Sequence, residues 1–394
     1  MSNKNWRESY LRLHPKSALK NLEQPFVYHM GRDELYEIDE RAQDFLLRCN
    51  GQSLGKELTT DVDFVEYCLQ EGIIEGHPQP VPTTVAVDYG LEPSLRYLEL
   101  HLLHKCNLNC RHCYLGPSQP VEMPVEDAVN ITRQFSDNGG LRLLISGGEP
   151  LLYKYLKTYL EHTQALKIRR VLFTNGILIN SQNISWLDVD EIQFSLDGWG
   201  KGHEQLRGRG TFEPTIQGIH IANAEGIPVS ISTMIHRYNL NEFDRIREFI
   251  EKINAIEWGV DVMCVSGSLM KNRDLTVPYE TAAQYLNYAF GGGYHGSSEG
   301  FACGRHLITV LPDKQAVKCG FYTDRPLGDA RKSLKQCWLN MSHIPLDQLE
   351  CRGCVFLEEC RGGCRFRAPH PLAPDPAMCA FYGISRQDIF SNKA

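Results

Sequence analysis

The spacing of fourteen cysteines constrains this chain more than any other feature of its 394 residues. Ten fall in two groups: Cys106, Cys110 and Cys113, then Cys303, Cys319, Cys351, Cys354, Cys360, Cys364 and Cys379. Such runs mean disulfides in an exported protein and metal or redox chemistry in a reducing compartment. The opening MSNKNWRESY lacks the charged-then-apolar plan of a signal peptide, and no run reaches the roughly 18 apolar residues of a membrane span. The expected address is the cytoplasm, with no membrane partner, and the expected chemistry is metal. Cys49, Cys68, Cys264 and Cys337 are scattered and read as small apolar core side chains.

Composition adds bounds rather than answers. At roughly 150 residues per domain the length suggests two to three domains. Forty-one Lys and Arg against 48 Asp and Glu give a net charge of −7, so no broad polyanion-binding surface and no nucleic-acid partner are expected.

Residues 1–90 read as a small winged-helix-like unit. Phe26 to Tyr28 and Leu35 to Ile38, joined through Gly31, form a hairpin pattern. Asp39 then caps a helix with Ala42, Phe45, Leu46 and Cys49 on one face, stopped by Asn50-Gly51. Ser53 is placed to cap a short second helix, and Phe64, Val65, Cys68 and Leu69 mark a third, closed by Gly72. From Asp39 to Glu75 there are nine acids and three bases, the wrong sign for a phosphate backbone. Prolines 78, 80, 82 and 93 mark an extended linker.

After it the pattern alternates. Strands are expected over 95–104, 141–146, 171–173, 191–195, 229–234 and 258–265. Helices are expected over 125–135, 153–166, 216–224 and 243–253. Parallel strands with crossover helices follow, and six units make a partial (β/α)6 barrel of the TIM type across residues 91–265, with ligand chemistry at the carboxyl ends of the strands. Residues 266–300 read as a bridging segment ending in a glycine-rich break, Gly291-Gly292-Gly293 with Gly296, Ser297, Ser298 and Gly300. From 301 to 394 periodicity fades, as in an irregular domain held by metal rather than by a large apolar core.

The motif Cys106-Asn-Leu-Asn-Cys110-Arg-His-Cys113-Tyr114 follows directly on the first barrel strand. Three thiolates so spaced can wrap three corners of a cubane iron–sulfur cluster and leave the fourth iron open. A zinc site closed by His104 or His112 is the alternative. The second strand ends in Ser146-Gly147-Gly148-Glu149-Pro150, where consecutive glycines admit a ligand to the backbone and Glu149 can accept from an ammonium group. The C-terminal run Cys351-x2-Cys354-x5-Cys360-x3-Cys364 can likewise fold as a zinc ribbon or hold a cluster.

Together these motifs resemble the radical SAM family, an α/β fold whose C-x3-C-x2-C motif binds a [4Fe–4S] cluster and whose GGEP motif lies one strand later. The resemblance implies S-adenosylmethionine on the open iron, with Gly147, Gly148, Glu149, Pro150, Asn175, Ser195 and Arg207 as cofactor contacts and Tyr114 at the adenine through its backbone. Thr174-Asn175-Gly176 and Ser195-Leu196-Asp197-Gly198 then lie at strand ends facing the nucleoside.

The seven C-terminal cysteines resemble the SPASM domain of the same family, which implies two auxiliary clusters and three [4Fe–4S] clusters in all. By similarity Cys351, Cys354, Cys360 and Cys379 hold one auxiliary cluster completely, and Cys303, Cys319 and Cys364 hold the other with an iron free. The family tends to have glycine shortly before the second of these cysteines; here the chain reads Pro312-Asp313-Lys314-Gln315-Ala316-Val317-Lys318-Cys319.

The N-terminal unit resembles the peptide-recognition element of ribosomal-peptide maturases, which captures a leader as an added strand. The implied activity is oxidative modification of a ribosomally made precursor peptide, by thioether or carbon–carbon crosslinking or a related oxidation, with electrons from a donor such as flavodoxin or ferredoxin. Action on a tetrapyrrole or another small molecule, or on a protein partner, is the alternative. No general acid or base is assigned; Asp197 and His236 near strand ends read as structural.

Overall fold

The computed structural model describes residues 3–292 and 300–384, in two compact units. The first comprises Met1–Arg96 with Arg133–Arg142 and Ala165–Arg169. Its strands are β1 (Tyr10–Leu13), β2 (Ser17–Asn21), β3 (Pro25–His29), β4 (Glu34–Glu37), and, after α1 (Glu40–Arg48), β5 (Asn50–Leu54). Then come α2 (Gly55–Leu58), α3 (Val62–Gln70), β6 (Ile74–His77) and β7 (Val87–Tyr89). One sheet runs β5-β1-β6 and the other β4-β3-β2-β7.

The hairpin is present, with Val27 opposite Tyr36, and Asp39 caps α1 by accepting from the Ala42 amide at 2.7 Å. Asp61 caps α3 in the same way, accepting from the Phe64 amide at 3.1 Å. Ser53 does not cap α2. It lies in β5, and Leu54 takes the N-cap position with its amide donating to Glu57 at 3.0 Å. Asn50-Gly51 opens that same strand, where the glycine is required because a Cβ would fall 2.0 Å from the Val81 carbonyl. β1 and β2 were not anticipated. Their four and five residues mix Lys, Arg and Asn with apolar residues, too short a pattern to stand out. The proline stretch is extended, yet it does not run free: Val87–Tyr89 pair in parallel with β2. Leu11, Leu19, Val27, Leu46, Cys49, Val65 and Cys68 form the buried core of this unit.

The second unit comprises Tyr97–Thr132, Leu143–Gln164 and Arg170–Ala394. Its elements are β8 (Tyr97–Leu103), α4 (Val125–Asp137), β9 (Arg142–Gly147), α5 (Leu156–Thr163), β10 (Arg169–Thr174) and β11 (Glu191–Ser195). α6 (Lys201–Arg207), α7 (Phe212–Ala224), β12 (Val229–Ile235), α8 (Phe243–Lys252) and β13 (Glu257–Val262) follow. The six expected strands stand side by side in chain order, and β10 through β13 pair in parallel. This is the mixed α/β architecture expected, and the sheet stays open rather than closing into a barrel. Apolar and polar residues alternate in β11 and β12, and Ile192 and Phe194, on either side of Gln193, and Ile231, between Ser230 and Ser232, are fully buried. β8 places Glu99 and His101 on one face.

Beyond β13 come α9 (Tyr279–Leu286), β14 (Leu307–Val310), β15 (Gln315–Val317), β16 (Gly328–Asp329), α10 (Ala330–Leu339), α11 (Leu357–Cys360) and α12 (Pro376–Phe381). β14 adds to the sheet in parallel beside β8, and β15 and β16 continue it antiparallel. α6 and β14 escaped the periodicity reading because each spans seven residues or fewer. Of the glycine-rich break, Gly293, Gly296, Ser297 and Ser298 lie outside the described residues.

Candidate cofactor and cluster sites

The loop leaving β8 carries Cys106, Cys110 and Cys113, and its path is fixed from both sides. Gly148 donates to the Leu103 carbonyl at 2.8 Å and Glu149 to the Lys105 carbonyl at 2.9 Å. A Cβ on Gly147, whose φ is +126°, would sit 2.3 Å from the Leu103 oxygen, and one on Gly148 would sit 2.1 Å from the Lys105 oxygen. The clearance these glycines supply on their Cβ side is taken up by the protein's own cysteine loop. Arg111 anchors the far side through Asp274 at 2.9 Å and Asn272 at 3.1 Å.

Glu149 is buried and heavily committed. Oε1 accepts from Thr174 Oγ1 at 2.8 Å and from the Leu151 amide at 3.1 Å, and Oε2 accepts from the Asn175 amide at 2.9 Å. Burial pushes its carboxyl above the usual range against these donors. Pro150 opens the short 3-10 turn that follows, and Asn175 donates through Nδ2 to Asn107 inside the cysteine loop at 2.8 Å. Ser195 ends β11 opposite Ser232 of β12.

Arg207, the last residue of α6, is ion-paired through Nε with Asp197, and its charge faces Cys110 and Cys113. Asp197 is a hub. Its Oδ1 accepts from the Met234 amide at 2.7 Å, and its carbonyl accepts from His236 Nε2 at 2.8 Å and Asn239 Nδ2 at 2.9 Å. Burial opposes ionisation of Asp197, but Arg207 and its other partners prevail and hold the carboxyl down at about 2. His112 and His203 complete the cluster with His112 Nδ1 and His203 Nε2 buried and unpartnered. Burial keeps both rings neutral, His112 down to about 4 and His203 to about 3, with Arg207 acting in the same direction.

Tyr114 turns its ring toward β8. Its hydroxyl donates to Glu99 Oε1 at 3.2 Å, beside His101, and its ring packs against Phe321 with the planes tilted by 47° and the centroids 5.1 Å apart. Neither Glu99 nor His101 was singled out from sequence. The signal was available as the two polar residues interrupting an otherwise apolar strand.

The C-terminal cysteines gather in two places. Cys351, Cys354, Cys360 and Cys379 line a small cleft with Leu357 and Met378. Cys303, Cys319 and Cys364 are mutual electrostatic neighbours, and backbone amides address their sulfurs: Arg365 at Cys303, Phe321 at Cys319, Phe366 and Arg367 at Cys364. Amide donors of this kind stabilise thiolate charge and tune a cluster's potential. Cys264, read from sequence as core filler, also belongs here: its Sγ lies 3.9 Å from Cys364 Sγ.

Arg367 fastens the Cys364 segment. It donates to Asp375 Oδ2 at 2.7 Å, to Asp261 Oδ1 at 3.0 Å and to the Val262 carbonyl at 2.7 Å. Arg367→Ala leaves the buried Asp375 without its charge partner, so stability should fall by about 3–5 kcal/mol. An unchanged calorimetric midpoint would refute that weight.

Among the described residues no three Cys, His, Asp or Glu side chains converge as the ligands of one ion would. His104 Nε2 is engaged with the Leu115 carbonyl at 3.2 Å, and His112 sits in the Asp197 network. Burial pushes the Cys110 thiol up to about 12, so binding iron would displace its proton.

Residues 100–250 match the model of the radical SAM superfamily. Over that span the chain resembles a radical SAM domain. The AdoMet-dependent heme synthase of Oleidesulfovibrio alaskensis is 27% identical over 206 residues, 50% of this chain and 53% of the relative. The sporulation killing factor maturation protein SkfB of Bacillus subtilis is 28% identical over 184 residues, 45% of this chain and 43% of the relative. The chain spans about half the length of the curated relatives it matches. Streptococcus suis SuiB, in a crystal structure with S-adenosylmethionine, superposes with a TM-score of 0.66 at 17% identity over 93% of this chain and 99% of that one. SuiB bound to its precursor peptide SuiA gives 0.65 at 16% identity over 94% and 99%. These likenesses establish a shared fold. No helix among the described residues is long and apolar enough to cross a membrane.

Proposed function

We propose that this chain is a radical SAM maturase that oxidatively modifies a ribosomally made peptide, recognised through its leader by the first unit. The observation that carries this reading is the form of that unit. β4 is a sheet edge, and beside it lies a cleft of about 190 Å³ lined by Val27, Tyr36, Ile38, Leu46, Phe64 and Tyr67. An edge strand next to an apolar cleft suits an extended peptide, with main-chain hydrogen bonds for affinity and the cleft for a hydrophobic anchor. Glu37 also lines the cleft, whereas Glu34 and Glu71 are paired with Arg32. The likeness to SuiB, which spans this unit and includes a precursor-peptide complex, supports the same reading.

A [4Fe–4S] cluster on Cys106, Cys110 and Cys113, with S-adenosylmethionine, would supply a 5′-deoxyadenosyl radical. The chain's own residues do the positioning. Gly147 and Gly148 set the loop, Glu149 and Asn175 join two strand ends to it, and Arg207 places a positive charge beside the thiols. The Asp197 pair keeps Arg207 buried and oriented.

Tyr67→Ala removes an exposed aromatic from the cleft wall and should weaken leader binding at least about tenfold, by fluorescence anisotropy, with peptide-independent S-adenosylmethionine cleavage unchanged. Equal affinities would remove the cleft from the proposal. A second reading, action on a tetrapyrrole, is favoured by the 27% identity to a heme synthase. Turnover of an iron porphyrinoid without any peptide would select it.

A further inference from the structure

We propose that Tyr114 is a positioning residue whose side chain builds the auxiliary site of Cys303, Cys319 and Cys364 against the cofactor loop. This deepens the proposed function and rests on reading both cysteine groups as iron–sulfur ligands. Its ground is a close fit between two residues that each follow a cysteine, Tyr114 after Cys113 and Gly320 after Cys319. A Cβ on Gly320 would lie 2.7 Å from Tyr114 Cε2 and 3.2 Å from both Cζ and the hydroxyl oxygen. Gly320 has no left-handed φ that would call for glycine, so the ring itself is what leaves no room for a side chain there.

The ring is held at its tip and along its side. Its hydroxyl donates to Glu99 Oε1, which lies 2.9 Å from His101 Nε2, while Glu99 Oε2 accepts from Thr309 Oγ1 at 2.8 Å. Glu99 and Thr309 are register partners in β8 and β14, so the phenol is tied to the sheet. The ring packs against Phe321, which in turn stacks on Phe366 with centroids 5.1 Å apart. Phe321 and Phe366 are residues whose amides address Cys319 and Cys364. At its other end the Cys113 carbonyl accepts from the Ser268 amide at 2.9 Å and the Gly116 amide at 3.1 Å. One aromatic side chain therefore connects the third cysteine of the first group to two cysteines of the second, and it is an electrostatic neighbour of both Cys113 and Cys319.

A single bound substrate can use both sites only if their separation is fixed. A ring packed between the two loops fixes it, because a planar group anchored at its tip has few other places to go.

The test uses the full chain, reconstituted with iron and sulfide without oxygen, reduced, and read by electron paramagnetic resonance. Gly320→Ala should weaken S-adenosylmethionine binding at least about fivefold, read from the ligand-dependent shift of the first cluster's signal, because the new Cβ displaces the ring and with it the cysteine loop. In a Tyr114→Ala background the same change should add nothing, since the ring it would strike is gone. Unchanged affinity in Gly320→Ala would overturn the proposal without needing a Tyr114 variant to fold, and so would equal effects in the two backgrounds. With Cys106, Cys110 and Cys113 replaced by alanine, only auxiliary clusters give signals. There Tyr114→Ala should change the g values of one cluster, whereas Tyr114→Phe, which keeps the ring, should leave both as they were. Unaltered g values in Tyr114→Ala, or the same change in Tyr114→Phe, would overturn the proposal while leaving the auxiliary-cluster reading intact. A wild-type chain without auxiliary iron would bring down that reading and the proposal together.

Discussion

With Cys106, Cys110 and Cys113 all replaced by alanine, the anaerobically reconstituted protein should hold about eight iron atoms instead of about twelve. It should release no 5′-deoxyadenosine from S-adenosylmethionine. The three residues share one loop after β8, apart from the seven C-terminal cysteines, so their loss should leave the auxiliary sites filled. The fold should persist too, because Gly148 and Glu149 hold that loop by its backbone rather than by its thiols. Iron analysis and chromatography of the nucleoside products decide the matter. Retained cleavage would remove these cysteines from the cofactor site.

The second large effect is expected from one methyl group. In Gly148→Ala the new Cβ falls 2.1 Å from the Lys105 oxygen and 2.5 Å from its carbonyl carbon, both backbone atoms one residue before Cys106. A flexible side chain could swing away from such a contact, but a backbone must move as a unit. Relief therefore displaces the cysteine loop, or breaks the Gly148 to Leu103 and Glu149 to Lys105 hydrogen bonds, at about 1 kcal/mol or more each. S-adenosylmethionine cleavage should fall at least a hundredfold, with iron lost from the first site and not from the others. As a control, Gly116→Ala, with open space around its Cβ, should cost only the strain of its φ of +78°. Wild-type cleavage by Gly148→Ala would show that the loop has slack the geometry denies it.

Much of this was legible beforehand because the signals are local. Strands β8 to β13 announce themselves as short stretches of apolar and β-branched residues, in several cases alternating with polar ones, between helical periods, and chain order became spatial order because consecutive parallel strands with crossovers pack as neighbours. Asp39 and Asp61 were ordinary caps, and only Asp39 was singled out. The short strands β1, β2 and β14 passed unnoticed, since four or five residues do not fill a period and their pairing partners lie far along the chain. Ser53 was assigned a cap that Leu54 and Glu57 supply instead, by a carboxylate reaching back to an amide.

The sequence by itself determined the kind of chemistry available, because sulfur ligands at short fixed spacing and a double glycine before a glutamate are properties of the covalent chain. Only the tertiary structure decided which groups share a site. It turned the clearance of Gly147 and Gly148 toward the cysteine loop, set Arg207 between Asp197 and the thiols, and brought Cys264 against Cys364. Those neighbours are made by strands and by the buried Arg367 reaching an exposed carboxylate, Asp261, about a hundred positions away, and no local pattern in the chain records a contact whose energy is gained only after the sheet has formed.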